Sequence, residues 1–217
     1  MSWKTGEGIP LSEYRWPLLL IALVSSLPLF LFLKFVQWFS RSSAKFPDDL
    51  PSNSLIFGFH WDFYLLHLGR TMEPKRRSRV VWLGYHGFLS YLPILVTHFH
   101  GTRIFRYRYP SAKKPFRQIV DFLMSHPETP FGILTDAGGP YGRVRESIVD
   151  LALASNRPVV ALRTRYSRLI ALGVHRLPLP LGSLEAKFSE IISVEKLKSM
   201  SRDAARDYLQ KRIEEIS

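Results

Sequence analysis

The chain of 217 residues contains no cysteine, which excludes disulfide bonds, a thiol nucleophile and a cysteine-based zinc site. Acidic residues are scarce: 18 Asp and Glu stand against 30 Lys and Arg, and the formal net charge is +12. Such an excess attracts an anionic partner, either nucleic acid or the negatively charged cytoplasmic face of a membrane. Nothing in the sequence is typical of a recognition helix or an aromatic RNA platform. Together with the apolar run described below, this favours membrane lipids and an anionic bilayer surface as partners, not nucleic acid.

Several motifs of common enzymes are also missing. The sequence has no Gly-x-Ser-x-Gly, which excludes the ordinary serine hydrolase elbow, and no Gly-Lys-Ser/Thr, which excludes a Walker phosphate loop. His98 and His100 have no third ligand at a suitable spacing, so we expect no metal site.

A long apolar run is present near the N-terminus. Residues 16–33 carry no charge, and as a helix they span roughly 27 Å, close to the thickness of a bilayer's hydrocarbon core. A signal peptide is the competing interpretation, but the run is long, acidic residues precede it and no cleavage motif follows. We therefore expect a membrane anchor helix at residues 16–39, preceded by a flank at residues 1–15.

Pro28 and the neighbouring charges bear on how this anchor sits in the bilayer. Proline disrupts a helix interior, so the anchor is either a full span or a bent, re-entrant segment. Lys34, Arg41 and Lys45 follow the run, whereas the charges before it nearly balance. The positive-inside rule then predicts that the C-terminal domain lies on the cytoplasmic face.

A polar connector at residues 40–53 leads to a domain at residues 54–217, in which β-rich runs alternate with helical patterns. The predicted strands are 54–59, 79–84, 102–106, 131–135 and 158–163, and the predicted helices are 62–72, 88–99, 113–125 and 146–155. Strands separated by helices of this length predict an α/β fold with a mainly parallel sheet flanked by helices. A strand pair, 169–172 with 187–194, and a charged helix at 199–216 are predicted to close the chain.

His60 and Asp62 follow the first predicted strand, at the edge where parallel α/β sheets place their chemistry. A histidine there suits a general base because its pKa lies near neutrality, and the alternative is a structural histidine that caps the strand. Asp62 occupies a position typical of a helix N-cap, and orientation of the imidazole is its functional alternative.

Two further loops are expected at the same edge. Arg106 ends the third strand, where its guanidinium suits bidentate phosphate binding or lies on a solvated strand edge. After the fourth strand, Asp136 begins a glycine-rich turn that includes Gly138, Gly139 and Arg143. The N–H groups of this turn suit an anion, and a simple tight connection is the alternative. The fifth strand is followed by further basic residues, which we assign to the membrane surface: Arg163, Arg165 and Arg168.

Taken in order, these segments resemble the lysophospholipid acyltransferase-like superfamily, which includes glycerolipid acyltransferases and lipid A late acyltransferases. The nearest pattern is a bacterial branch with a strand-end histidine and a later T-P-D-G-P-R-G-P-like turn. The matching segments are IFGFH at 56–60, GTRIFR at 101–106, LTDAGGPYGR at 134–143 and RPVVAL at 157–162.

The resemblance implies a lipid acyltransferase of the bacterial inner membrane, acting in phospholipid or related lipid synthesis. It implies an acyl donor that is acyl-CoA or acyl carrier protein, a lysolipid or other lipid as acceptor, and no bound cofactor. His60 corresponds to the base, with Asp62 beside it, and Arg106 to the ligand of the acceptor phosphate. The residues implied to complete the substrate site are Asp136, Gly138, Gly139 and Arg143.

The chain also departs from the family. The family motif H-x4-D places an acid five residues after the histidine, where this chain has Leu65. Asp62 or Asp136 substitutes for it, or no acid is used. Three functions therefore stay open, namely an acyltransferase, a non-catalytic lipid-binding or assembly factor that keeps the fold, and a bilayer-tethered nucleic-acid binder or scaffold.

Overall fold

The computed structural model describes residues 16–42, 50–59, 80–86, 103–108, 113–136, 142–172 and 175–216. The described helices are α1 (Trp16–Trp38), α2 (Lys113–Ser125), α3 (Glu146–Ser155), α4 (Val194–Lys198) and α5 (Arg202–Glu215). The described strands are β1 (Arg41–Ser42), β2 (Leu55–Gly58), β3 (Val81–His86), β4 (Arg103–Arg108), β5 (Phe131–Leu134), β6 (Val159–Tyr166), β7 (Leu169–Leu172), β8 (His175–Pro178) and β9 (Ser183–Phe188). The helices predicted at 62–72 and 88–99 lie outside these residues.

Seven of the strands form one sheet in the order β1-β9-β6-β2-β5-β3-β4. The five strands from β6 to β4 are parallel, β9 runs antiparallel to β6, and β1 runs parallel to β9. The prediction of an α/β fold with a mainly parallel sheet flanked by helices is confirmed. The five predicted strands are present with ends that differ by three residues or fewer, and α2 and α3 have the predicted bounds.

Alternation along the strands decides which side chains face the described helices. Leu55 and Phe57 of β2 belong to the large core cluster and Ile56 to a separate one, because successive strand side chains point to opposite faces. The large cluster also contains buried residues of α2, α3 and α5: Phe122, Leu123, Ile148, Val149 and Leu209. Burial of apolar side chains on both faces therefore holds the parallel strands.

On the face that holds Ile56, Trp82 of β3 lies across Gly132, its ladder partner in β5. A Cβ atom at position 132 would lie 2.3 Å from Cε3 of Trp82, closer than packed atoms approach. The indole ring therefore requires glycine at this position, and the contact keeps β3 in register with β5.

The predicted strand pair near the C-terminus is wrong. Leu169–Leu172 pairs with His175–Pro178 in a short antiparallel hairpin, and not with residues 187–194. Ser183–Phe188 instead forms β9 and pairs with β6. The adjacent segment closes the hairpin at a lower entropic cost than a distant one would, and β6 offers a longer edge to β9. Residues 194–198 are helical as α4.

Helix α1 occupies the residues predicted for a membrane anchor helix, 16–39, and ends one residue earlier; the anchoring itself stays a prediction. One face of its C-terminal half packs on the sheet in a buried cluster: Leu33, Val36, Tyr166 and Leu184. Between residues 16 and 28, every side chain that the structure describes is exposed. Within the described residues, no helix has both the length and the apolar character that a bilayer crossing requires.

The first residues of the predicted connector at 40–53 form β1, which pairs with β9. The Arg41 N–H donates to the carbonyl oxygen of Gly182 at 3.0 Å, and Ser40 Oγ lies 2.5 Å from Tyr166 Oη. The end of α1 is therefore hydrogen-bonded to the sheet as well as packed on it.

Arg157 joins the segments that enter the sheet at its amino edge. Its side chain is buried and its guanidinium donates to four backbone carbonyl oxygens: Leu123 at 2.6 Å, Thr129 at 2.6 Å, His126 at 2.7 Å and Asn53 at 3.5 Å. Burial lowers the pKa of Arg157, while the negative charge of Glu128 acts in the opposite direction. These bonds join the end of α2 to the turns that precede β2, β5 and β6.

Candidate functional site

The candidate site lies at the carboxyl edge of the sheet, around the end of β2. That strand lies between β5 and β6, and the chain places β3 and β4 on the β5 side but β6 on the other side. Such a reversal leaves a crevice outside the carboxyl ends of the strands, where open α/β sheets bind ligands. The ladder extends to this edge, since the Thr135 N–H donates to the carbonyl oxygen of Gly58 at 3.0 Å.

Asp136 connects the two ends of the glycine-rich turn through a hydrogen bond. Its side chain is fully buried, and Oδ2 accepts a hydrogen bond from the Gly142 N–H at 3.0 Å. Gly142 has a φ of 77°, a left-handed conformation that favours glycine. Asp136 therefore makes at least one hydrogen bond to the turn itself, and its contact with substrate stays a prediction.

Gln210 of α5 forms hydrogen bonds with the C-terminal end of this turn. Its Oε1 accepts the Val144 N–H at 2.7 Å, and its Nε2 donates to the carbonyl oxygen of Gly142 at 3.2 Å. The same Nε2 donates to Glu214 Oε1 at 2.7 Å, which orients the amide. Sequence reasoning missed Gln210, because a polar residue on a charged helix carries no signal that it contacts a segment more than sixty residues away.

Arg163 lies beside the residue that ends the predicted first strand. Its Cζ is 4.8 Å from the centroid of the Phe59 ring, a cation–π contact. From the sequence, the charge of Arg163 is assigned to the membrane surface and the fifth strand is predicted to end at this residue, whereas β6 continues to Tyr166. A guanidinium therefore stands directly beside the point where β2 leaves the sheet.

Four of the predicted site residues lie outside the described residues: His60, Asp62, Gly138 and Gly139. Their roles stay predictions. The chain reaches His60 directly after Phe59, and the two glycines lie between Asp136 and Gly142. The described residues therefore give the flanks of both predicted loops.

Arg106 and Arg143 lie within the described residues. In β4, Arg106 is in register with Gly84 of β3. Because β4 is three positions from β2 in the sheet, the two strands are separated by roughly 14 Å at the usual strand spacing. Arg143 is exposed and follows Gly142 at the end of the turn. Arg143 therefore lies next to the hydrogen bond between Asp136 and Gly142, whereas Arg106 is separated from β2 by the strands β5 and β3.

Helix α1 contacts the sheet at this same edge. Tyr166 ends β6 three residues after Arg163 and is buried in the cluster with Leu33 and Val36 of α1. The apolar helix and the candidate site therefore share one edge of the sheet. Among the residues that the structure describes, no group of three or more His, Asp or Glu side chains is placed to hold a metal ion.

No protein-family model and no curated protein matches the chain. Among solved structures, the chain is similar to the crystal structure of the 1-acyl-sn-glycerophosphate acyltransferase PlsC from Thermotoga maritima, with 14% sequence identity and a TM-score of 0.46. The similarity covers 89% of this chain and 80% of that chain. A likeness of this size carries no inference about the reaction.

Proposed function

We propose that the protein is a membrane-associated acyltransferase that moves a fatty acyl group from a thioester donor to a lysolipid or another lipid acceptor. The observation that carries the proposal is the shared edge: the apolar helix α1 packs on Tyr166 at the end of β6, and β2 is the strand next to β6. A lipid acceptor partly embedded in a bilayer beside α1 is then presented to the loops at this edge. The bacterial inner membrane, with the domain on its cytoplasmic face, belongs to the same proposal.

In the proposed reaction, the His60 imidazole accepts the proton of the acceptor hydroxyl. The hydroxyl oxygen attacks the thioester carbonyl carbon, and N–H groups near Gly138 and Gly139 stabilise the negative charge on the carbonyl oxygen. The C–S bond then breaks, an ester remains, and the thiol of coenzyme A or acyl carrier protein leaves with the proton from the imidazolium. Asp62 orients the imidazole, and Arg106 binds the acceptor phosphate.

The hydrogen bonds of Asp136 and Gln210 support this use of the glycine-rich turn. A turn whose two ends are fixed loses less conformational freedom when its N–H groups bind a developing oxyanion. Arg143 at the end of the turn and Arg163 beside Phe59 add positive charge at the same edge. Negative charge that develops during acyl transfer is therefore favoured there.

A non-catalytic lipid-binding or assembly factor is the second candidate, and the bond between Asp136 and Gly142 favours it. That carboxylate is buried and already accepts a hydrogen bond from the turn. Position 65 is leucine, so the acid of the family motif is missing there as well. A protein without an acid that orients its histidine retains lipid binding but not transfer.

The test is acyl transfer by the purified full chain in phosphatidylglycerol vesicles that contain a lysophospholipid, with acyl-CoA and acyl carrier protein as alternative donors. Because the chain has no cysteine, a thiol reagent detects only the thiol released from the donor. We expect His60→Ala to lower the rate by about 100-fold or more, the usual effect of losing a general base. Mass spectrometry of the lipid identifies the ester.

His126→Ala is the matched control, because His126 lies after α2 at the amino edge, where its ring stacks on Phe122 at 4.3 Å. This variant should keep the transfer rate. Transfer that survives His60→Ala refutes the base assignment. If the wild-type chain transfers nothing from either donor and still binds lysolipid, the protein is the binding factor instead.

A further inference from the structure

The end of α1 and the turn before β9 together present three apolar side chains to the outside. Trp38 is 73% exposed, Phe39 is 49% exposed and Leu181 is 70% exposed. The Leu181 N–H donates to the carbonyl oxygen of Phe39 at 3.0 Å, so the turn is bonded directly to the end of the helix. We call these three residues the apolar tip.

Leu181 has a backbone conformation that its side chain does not favour. Its φ is 63°, in the left-handed region that glycine and asparagine adopt readily and leucine rarely does. The exposed leucine gains little packing within the chain that would offset this strain. An apolar side chain held in a strained turn and turned outward indicates a contact outside the protein.

The turn itself is held firmly by its neighbours. Tyr166 Oη donates to the carbonyl oxygen of Leu179 at 2.6 Å, and Arg168 Nη1 donates to that of Pro180 at 3.1 Å. A Cβ atom on Gly182 would lie 2.4 Å from the Tyr166 ring, so the residue after Leu181 must be glycine. The tip is therefore a fixed feature of the surface.

Two basic residues next to the apolar tip indicate that its partner is negatively charged. Arg41 and Arg168 are exposed. The main-chain N–H of Arg41 donates to the carbonyl oxygen of Gly182, and Nη1 of Arg168 donates to that of Pro180. Aromatic and leucine side chains surrounded by arginines match the boundary of an anionic bilayer, where rings lie at the headgroup level and guanidinium groups meet phosphates.

We propose that the apolar tip inserts into the headgroup region of an anionic bilayer and sets the depth and orientation of the domain. This inference rests on the proposed membrane association and adds a second contact to the exposed N-terminal half of α1. That described half, residues 16–28, is roughly 20 Å long as a helix, shorter than the hydrocarbon core. A second contact, at the C-terminal end of α1, therefore fixes the tilt of the domain relative to the bilayer, which contact through the helix alone would not fix.

The absence of cysteine allows single-site labels on the full chain. Leu181→Cys, Val24→Cys and Met124→Cys each receive an environment-sensitive fluorophore, and each is mixed with vesicles of phosphatidylcholine or of phosphatidylglycerol. Val24 reports on α1, and Met124, 60% exposed on α2, is the control away from the tip. Lipids spin-labelled at the headgroup and along the chain measure depth by quenching.

With phosphatidylglycerol, we expect the label at position 181 to shift to the blue and to be quenched most by headgroup spin labels. The label at position 124 should not change. If position 24 enters the bilayer while position 181 stays aqueous, the tip proposal is wrong and membrane association stands. If position 24 also stays aqueous, the membrane association itself fails. A blue shift at 181 without vesicles, rising with protein concentration, assigns the tip to a second copy of the chain and overturns the proposal.

Leu181→Asn separates this contact from folding, because asparagine tolerates the left-handed conformation. We expect its melting temperature in detergent to equal or exceed that of the wild type. Its partition onto phosphatidylglycerol vesicles should fall by roughly tenfold, since a largely buried leucine is lost from the bilayer contact. Unchanged partition contradicts the proposal.

Discussion

Gln210 provides a test of how the glycine-rich turn is held, because one side chain makes both of its described bonds to the segment at 142–144. Gln210→Met keeps the length of the side chain and removes the amide. The Val144 N–H and the Gly142 carbonyl group then lose their partners. Each lost bond costs about 0.5–1.5 kcal/mol, and an unsatisfied buried group costs more.

Gln210 is only partly buried, so water replaces some of what is lost, and we expect a decrease of about 1–2 kcal/mol in the free energy of unfolding. For a chain of this size, that corresponds to a fall of roughly 3–6 °C in the melting temperature. The larger effect should appear locally, as faster hydrogen exchange at the amides of Gly142 and Val144. We also expect slower acyl transfer, because the turn is less well ordered.

Lys211→Met is the matched control, because Lys211 is the next residue on α5 and is exposed. It should leave both amides and the transfer rate unchanged. If Gln210→Met accelerates exchange at Gly142 and Val144 no more than Lys211→Met does, Gln210 does not hold the turn and the reasoning is refuted.

Three other substitutions test the parts of the fold that position the site. Arg157→Met should lower the free energy of unfolding by about 3–5 kcal/mol in denaturant titrations, since four carbonyl groups lose a buried charged donor, and an equally stable variant would contradict this role. Gly132→Ala should cost about 1–3 kcal/mol by thermal unfolding, because its Cβ meets the Trp82 ring, whereas unchanged stability would show that the ring shifts freely. Tyr166→Phe should cost about 1 kcal/mol and accelerate exchange of the Leu181 amide, and an unaltered amide would exclude a role for the Tyr166 hydroxyl in the turn.

The parallel part of the fold could be predicted because its signals are local. The runs at 54–59 and 131–135 are apolar and bounded by polar turns, and the segments with helical periodicity, α2 and α3, lie directly before and after the second run. Their order alone then predicts crossover connections and a parallel sheet. The pairing of β9 with β6 could not be predicted from local signals. It depends on the edge of β6 that the parallel strands leave unpaired, and this is known only once the whole sheet has formed.

The candidate site could be predicted only in part, for a related reason. The position of Asp136 after a strand predicts that it lies at the carboxyl edge, and the structure confirms this location. Its bond to Gly142 depends on the path of the turn, which composition does not indicate. The contact of Arg163 with Phe59 depends on which strand lies next to β2. The face of α1 that packs on the sheet could not be predicted either, because an apolar run without polar positions does not distinguish one face of the helix from another.

Strand β6 connects the proposed bilayer contact to the proposed site. Tyr166 at its end bonds to the carbonyl of Leu179 beside the apolar tip, and Arg163, which contacts Phe59, lies three residues earlier. Three residues of strand measure about 10 Å. The Tyr166 end of the strand and the Arg163 contact with Phe59 are therefore held at a fixed separation along β6. Under the proposed function, an insertion or deletion between Arg163 and Tyr166 would change the distance between the end of β2 and the proposed bilayer contact.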